Sequence, residues 1–598
     1  MTSERPDAAA DDAPALPDPA EVLAGHPLTA SLPLEVRARL AVGARMRALA
    51  PGEVLVEEGS PGDAAFLIVT GRLTASVGGR AVGTIGRDET VGEMSLITGA
   101  PRSATVTARR PSVVLVVRSA DFAAVLADHP EAHRSLTRQL VARLDNTLRG
   151  RGDAAGHAAV MAVVGGDDPA VVPVVDVLVS ALADGGADVA RLGADRLDEL
   201  AGLEVDHDVV VVAVPRADVA TLVPLFDRVV AVARIGAAPA HLPDGLTDLI
   251  VVHPDRTVVP AGTRRLLRPA LAPTPLDADP LAHHHLRLGS TVDAARLARR
   301  LLGRERVLVL GGGGARGMAH LGAYRAVHEA GIELDAVVGV SAGAIFAACI
   351  ALDWSPEEAV ERSSAILIDA GRLVDFTAPL VALSSGRRVT EAIQNGFGID
   401  VDLEDLWRPL MCLSADLTTL TVRYHRRGPL WRALRASVAV PGVFPPLIEG
   451  EAVLVDGGVV DNLPVTPARL LYPGATIISS DVGRRNEPMM TVELPPDGIV
   501  SGWRSLWHRV GRRRQTPTLV KLLYRLTALG GGAADLVEGD IHVCHELEGV
   551  GMFDFARARP AIEAGYQQTR AVLAADDRVA TLMTRGRVVD RSADLRRR

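Results

Sequence analysis

Ser341 follows the β-type run Ala336–Val340, precedes a run of small residues, and has Gly339 and Gly343 two positions to either side. Glycines at those places permit the sharp strand-to-helix turn that exposes a serine Oγ at the C-terminal edge of a sheet, a nucleophile elbow. A serine hydroxyl still needs a base. Asp456 directly follows Val453-Leu454-Val455 and is followed by Gly457 and Gly458, which places a carboxylate at another strand end with room for close approach. An ordinary aspartate, with pKa about 3.9, is too weak for the task, so a Ser–Asp pair requires a low-dielectric site that makes the carboxylate more basic. Upstream, the strand-like run Arg306–Leu310 leads into Gly311-Gly312-Gly313-Gly314-Ala315-Arg316-Gly317 and then a helical stretch ending at Gly331. Successive glycines let backbone N–H groups converge on one point, and the start of a helix adds positive potential there. The chemistry offered is attack of a hydroxyl on a carbonyl, with amides waiting for the oxyanion.

Each part has another reading. Gly312, Gly314 and Gly317 form a GxGxxG that could hold a dinucleotide, but that fingerprint needs an acid at the far end of the next strand. Asp335 precedes the strand and so stands at the wrong end, which weakens a nucleotide-dependent oxidoreductase. A Gly-x-Ser-x-Gly can arise by chance, and Asp-Gly is a common turn. His320 competes as the base of a Ser–His–Asp triad. It lies on the helix after the glycine loop, where packing or solvent exposure is expected. The dyad reading predicts that His320→Ala keeps much activity while Ser341→Ala and Asp456→Asn lose it.

In chain order, the glycine loop, elbow serine and acid resemble the patatin-like phospholipases. The resemblance implies a Ser–Asp dyad without histidine: Ser341 as nucleophile, Asp456 as general base, Gly312, Gly313 and Gly314 as the oxyanion hole, and Arg316 as the loop's usual arginine. Two further stretches, Leu434–Pro446 (LRASVAVPGVFPP) and His285–Gly303, look like the neuropathy-target-esterase branch, whose members hydrolyse lysophospholipids and phospholipids. The implied function is a lipid acyl hydrolase acting on carboxylic esters, with phospholipid or lysophospholipid as substrate and no cofactor for catalysis. By itself the PGVFPP segment reads as a rigid proline turn.

Val91–Ala108 (VGEMSLITGAPRSATVTA) resembles the phosphate-binding cassette of cyclic-nucleotide-binding domains. That resemblance implies that Glu93 accepts the ribose 2′-OH, that Arg102 pairs with the cyclic phosphate, and that the backbone at Gly92 and Ser103 donates to it. Val91 and Ser95 stand where an aromatic residue and an alanine are usual, which leaves cAMP and cGMP both open as the allosteric ligand. The alternative from another class is a cyclic-nucleotide-sensing binding protein on an inactive hydrolase scaffold.

These residues need a large scaffold. At 598 residues the chain exceeds one hydrophobic core, and its 48% hydrophobic and 23% charged residues are ordinary globular usage. The expected organisation is a tail over 1–25, a β-barrel with helices over 26–150, a middle α/β domain and linker over 151–290, and an α/β hydrolase with a mainly parallel sheet over 291–598, its motif core at 306–470. Dense short β-type runs between Pro51 and Val117 support the barrel, followed by a helix over Ser119–Arg149. Alternating strand-like and helix-like runs from 157 to 265 support the middle layer. A linker with prolines and histidines spans about 266–290.

With 64 basic and 73 acidic residues, a net charge of −9 and 3% aromatics, the composition argues against a nucleic-acid partner. Cys349, Cys412 and Cys544 are odd in number and far apart, which fits reduced thiols in a cytoplasmic protein. The N-terminus lacks a signal peptide's basic start and apolar run, and the apolar stretch Ala336–Leu352 is short and interrupted for a membrane span. Gly502–Arg514, with Trp503, Trp507 and five arginines, suits peripheral contact with a bilayer surface. Consecutive His283, His284 and His285 cannot all face one ion, and no metal site is expected.

Overall fold

The computed structural model describes residues 17–26, 28–30, 32–92, 95, 100–121, 160–165, 171–234, 246–253, 282–369, 375–377, 381–483, 536–537, 539–551, 554–579 and 582. The expectations for Glu93, for most of the helix over 119–149 and for the 502–514 surface lie outside them. The chain divides into two compact units, residues 1–232 with 241–249, and residues 233–240 with 250–598.

The first unit opens with a helix where a tail was expected. Helix α1 (Pro19–Gly25) starts because Asp18 accepts the amide of Ala20 as a cap and a proline occupies the first turn. Its Leu23 packs with Leu28, Leu32 and with Val36 and Leu40 of α2 (Leu34–Gly43), so burial of apolar surface extends the ordered region toward the N-terminus. Eight short strands follow: β1 (Arg45–Leu49), β2 (Val54–Val56), β3 (Ala64–Thr70), β4 (Leu73–Val77), β5 (Arg80–Ile85), β6 (Thr90–Val91), β7 (Thr105–Ala108) and β8 (Ser112–Arg118). They form two four-stranded antiparallel sheets, β1-β8-β3-β6 and β2-β7-β4-β5. Alternate residues of these strands, among them Leu55, Phe66, Ile68, Leu73, Val106 and Val114, fill the core.

Val160–Val164 and Val209–Val214 in the middle layer read as continuous apolar runs because these strands are buried on both faces. Strands β9 (Val160–Val164), β10 (Val189–Gly193), β11 (Val209–Val214) and β12 (Arg228–Arg234) pair in the order β10-β11-β9-β12, each pair parallel. Helices α3 (Val172–Asp184) and α4 (Leu200–Asp206) make the crossovers, and β13 (Asp248–His253) follows in sequence.

In the second unit, part of the expected linker is a strand: Ala282–Arg287 forms β14, with His285 and Leu286 buried. His285 stays in the interior because its ring bonds on both sides, to His253 at 2.9 Å and to the carbonyl of Glu404 at 2.8 Å. Helix α5 (Thr291–Leu301) is capped by Ser290, whose hydroxyl accepts the amide of Asp293. Strands β15 (Arg306–Leu310), β16 (Ala336–Val340), β17 (Leu410–Asp416), β18 (Thr421–His425), β19 (Leu447–Glu449), β20 (Ala452–Asp456), β21 (Thr476–Asp481) and β22 (Ile541–Cys544) build one sheet in the order β19-β20-β17-β16-β15-β21-β22, with β18 beside β17. The centre is parallel, and β18, β19 and β20 form an antiparallel edge. Helices α6 (Ala319–Glu329), α7 (Ala342–Ala351) and α8 (Ala558–Ala575) cover one face over a core that includes Leu310, Phe346 and Tyr566. Val307, Val309, Val338, Leu413, Leu463 and Ile477 pack on the other.

The chain leaves β15 to form β16 on one side and returns as β21 on the other. The carboxyl ends of β15 and β21 therefore flank the switch in strand order, where open α/β sheets leave a crevice, and the tip of β16 lies next to it.

Candidate active site

Ser341 sits at the tip of β16 with φ +55° and ψ −128°, a conformation that non-glycine residues rarely adopt and that costs of order 1–3 kcal/mol unless neighbours hold it. The flanking glycines explain how the turn is reached. A Cβ on Gly339 would come within 2.6 Å of the Gly343 carbonyl, and one on Gly343 would run into the Leu310 carbonyl of β15. Strand and helix touch backbone to backbone, and Oγ is aimed off the sheet edge.

Asp456 arrives from the antiparallel edge. It pairs with Ser414 on β17, two strands from β15, and its Oδ2 accepts the Ser341 hydroxyl at 2.6 Å. Its Oδ1 accepts the Gly458 amide at 2.8 Å. The carboxyl is 2% exposed, and burial pushes its pKa up to about 7, with the Ser341 hydroxyl and the Gly458 amide pulling the other way. Desolvation thus supplies the basicity that an aspartate lacks in water.

The glycine loop crowns this pair. A Cβ on Gly312 would meet the Asn462 side chain and lie 3.1 Å from Ser341 Cβ, so only a bare backbone fits. The amide of Gly312 donates to the Asn462 carbonyl at 3.0 Å, while Asn462 Nδ2 donates to the Gly312 carbonyl at 3.1 Å. That clamp occupies the N–H of Gly312. The amides of Gly313 and Gly314 have no acceptor among the described residues. Gly314 has φ +59° and opens a 3-10 turn, Gly314–Met318, that runs into α6.

His320 serves the loop from below and does not touch Ser341. It is fully buried, with Nε2 2.8 Å from the Gly311 carbonyl and Nδ1 2.8 Å from Ser480 Oγ. A carbonyl only accepts, so Nε2 carries the proton. Nδ1 then accepts from the Ser480 hydroxyl, and Ser480 Oγ accepts from His545 Nε2 at 2.8 Å. Burial lowers the pKa of His320 to about 3 and that of His545 to about 4, keeping both rings neutral. Arg316, also buried, donates from Nε to the Val482 carbonyl at 2.8 Å and from Nη1 to the Leu547 carbonyl at 2.9 Å. It fastens the loop to the end of β21. Sequence reasoning missed Ser437, Asn462, Ser480 and His545, all of which reach the site from distant parts of the chain.

A serine hydroxyl donating to a buried carboxylate at a strand end, under a glycine loop whose Gly313 and Gly314 amides have no acceptor among the described residues, is arranged for acyl transfer. Residues 308–469 match the family profile described as patatin-like phospholipase, and residues 46–129 match that described as cyclic nucleotide-binding domain. The chain carries a patatin-like phospholipase domain. An uncharacterized NTE family protein of Mycobacterium tuberculosis is 29% identical over 579 residues, covering 93% of this chain and 97% of the relative. A lysophospholipase NTE1 of Mycosarcoma maydis is 28% identical over 643 residues, 86% of this chain and 33% of the relative. The neuropathy target esterase sws of Drosophila melanogaster is 40% identical over 227 residues, 36% of this chain and 15% of that one. The strongest of these identities falls on the shortest stretch. The phospholipase domain is joined to a β-rich cyclic nucleotide-binding domain in one chain.

Proposed function

We propose that this chain hydrolyses the carboxylic esters of phospholipids or lysophospholipids with Ser341 and Asp456. The supporting observation is the 2.6 Å bond between the two side chains at the sheet edge, beneath amides with no acceptor among the described residues. The Asp456 carboxylate takes the Ser341 proton as Oγ bonds to the ester carbon, and the amides of Gly313 and Gly314 receive the oxyanion. Gly312 completes the loop by holding Asn462. Collapse expels the glycerol oxygen, which Asp456 protonates, leaving an acyl-serine and a free carboxylate. Water, deprotonated by Asp456, attacks the acyl carbon; release of the fatty acid returns the proton to Ser341. Oxyanion donors of this kind each lower the barrier by roughly 3–4 kcal/mol.

Hydrolysis of a lysophospholipid panel by wild type and Ser341→Ala tests the reading. Fatty acid release by wild type alone is expected. Release by neither leaves the nucleotide-sensing protein on an inactive hydrolase scaffold, and equal release by both removes Ser341 as the nucleophile.

The nucleotide-binding domain supports a cyclic nucleotide, cAMP or cGMP, as allosteric ligand. Gly92 has φ +88°, and the space its side chain would take is filled by Arg102, whose Nη2 donates to the Ala64 carbonyl at 2.6 Å. Arg102 and Ser103 would face the phosphate beside that turn, with Glu93 on the ribose. Calorimetry with each nucleotide should show heat with wild type and none with Arg102→Ala. No heat with either nucleotide removes the ligand, and unchanged esterase rates at saturation remove the regulation.

A further inference from the structure

Ser341 is held in its strained turn by a bond from outside the elbow. Its amide donates to Ser437 Oγ at 3.0 Å. Ser437 is fully buried in the last turn of the helix Leu430–Ser437 and is 96 positions away in sequence. Two residues later the same segment reaches the base: the amide of Asp456 donates to the Ala439 carbonyl at 3.0 Å. Three consecutive residues therefore grip both halves of the dyad, one through a hydroxyl and one through the main chain.

The grip is itself braced. Arg435 donates from Nε to Thr390 Oγ1 at 3.1 Å and from Nη2 to the Pro445 carbonyl at 2.9 Å, fixing the helix to the proline turn that follows. The amides of Val443 and Phe444 return to the Val440 carbonyl, and those of Leu383 and Ser384 donate to the Gly442 and Val443 carbonyls. Pro441, Pro445 and Pro446 further restrict the segment. Ser437 thus projects from one of the most constrained stretches of the domain onto one of its most strained residues.

We propose that Ser437 is a positioning residue of the hydrolytic site, its hydroxyl fixing the peptide of Ser341 while the strap 437–439 keeps nucleophile and base in one frame. The proposal rests on the hydrolase reading. Without Ser437 Oγ the Ser341 amide, buried between strand and helix, loses its acceptor, and the peptide can rotate out of the φ +55° conformation. Oγ then leaves both Asp456 and the loop amides. A shift of about 1 Å in a reacting atom can cost two orders of magnitude in rate.

The test is the second-order rate of fluorophosphonate labelling of Ser341 in the full chain, followed from pH 5 to 9, with melting temperatures recorded alongside. Ser437→Ala and the nearly isosteric Ser437→Cys, whose thiol is a weak acceptor, should each lower the plateau rate roughly 10- to 100-fold. Ser437→Thr, which keeps the hydroxyl, should recover most of it. The midpoint should also rise in the Ala and Cys variants. The Asp456 pKa is set by burial, which raises it, and by the Ser341 hydroxyl and Gly458 amide, which lower it, so losing the first of these bonds leaves it higher. A structural role alone would lower the melting temperature without moving that midpoint, and this result overturns the proposal, as does wild-type labelling of either Ser437→Ala or Ser437→Cys. Failure of the wild type to label removes the hydrolase reading as well, and so separates the two failures.

Discussion

Among single residues the decisive group is a carboxyl made basic by burial, that of Asp456. Because Asp456 acts as base only when ionised, kcat/KM should rise with pH through a midpoint near 7, the value to which burial brings the group. The same group makes the opposite contribution to stability. Its pKa is raised in the folded protein, so its stabilising share is fully present below the unfolded value near 4 and is lost as pH climbs to about 7. Asp456→Asn is therefore expected to melt higher than wild type at pH 8, with the gap closing below pH 4, while its kcat falls at least 1000-fold, to the order expected when a dyad member is removed. A melting curve at several pH values checks the first and steady-state kinetics the second. Ser341 and Asp456 were both legible because each announces itself locally, as a glycine-flanked turn at the end of an apolar run. Ser437, Asn462 and Ser480 were not. Their bonds to Ser341, Gly312 and His320 span 96, 150 and 160 positions, and serine and asparagine in a turn or helix end carry no signal of a distant partner.

Among elements, buried parallel strands were the easiest to read, since runs such as Val307–Leu310 and Val209–Val214 are apolar on both faces. β14 escaped notice because three histidines look polar; only the ring bonds of His285 to His253 and Glu404 make that strand compatible with the interior. β10 escaped because Arg191 and Gly193 interrupt a five-residue run. The hairpin between β17 and β18 carries a different signature. Leu420 at its tip is 85% exposed with φ +57°, so it combines an unburied apolar side chain with a left-handed backbone that costs leucine ~1–2 kcal/mol. Leu420→Asn, a residue that tolerates this conformation, should stabilise the protein by about 1 kcal/mol, seen as a higher denaturation midpoint in urea. An unchanged or lower midpoint would show that leucine makes a contact there worth more than the strain.

For the molecule as a whole, the first unit is more integrated than separate domain boundaries at about 150 suggest. Arg110, next to the barrel's last strand, bonds Glu204 at 2.8 Å and Asp227 at 3.1 Å in the middle layer, and Arg72 joins Asp227 at 2.5 Å. Arg110 and Glu204 are both about 1% exposed, and Glu204 also accepts the Gly71 amide at 2.9 Å. Removing one partner of a buried ion pair leaves the other uncompensated, so Arg110→Ala should destabilise this unit by ~3–5 kcal/mol, lowering its calorimetric transition. Sequence could not show this network, since each of its charges reads singly as a surface residue. No helix among the described residues is long and apolar enough to cross a membrane. Activation of Ser341 by a buried carboxylate is what residue, element and whole chain combine to provide. The most direct test is mass-spectrometric measurement of fluorophosphonate labelling at that serine, comparing wild type with Asp456→Asn at pH 8. Modification of Ser341 is expected in the wild type, and a rate at least about 1000-fold lower in the variant; labelling of both at the same rate would contradict activation by Asp456.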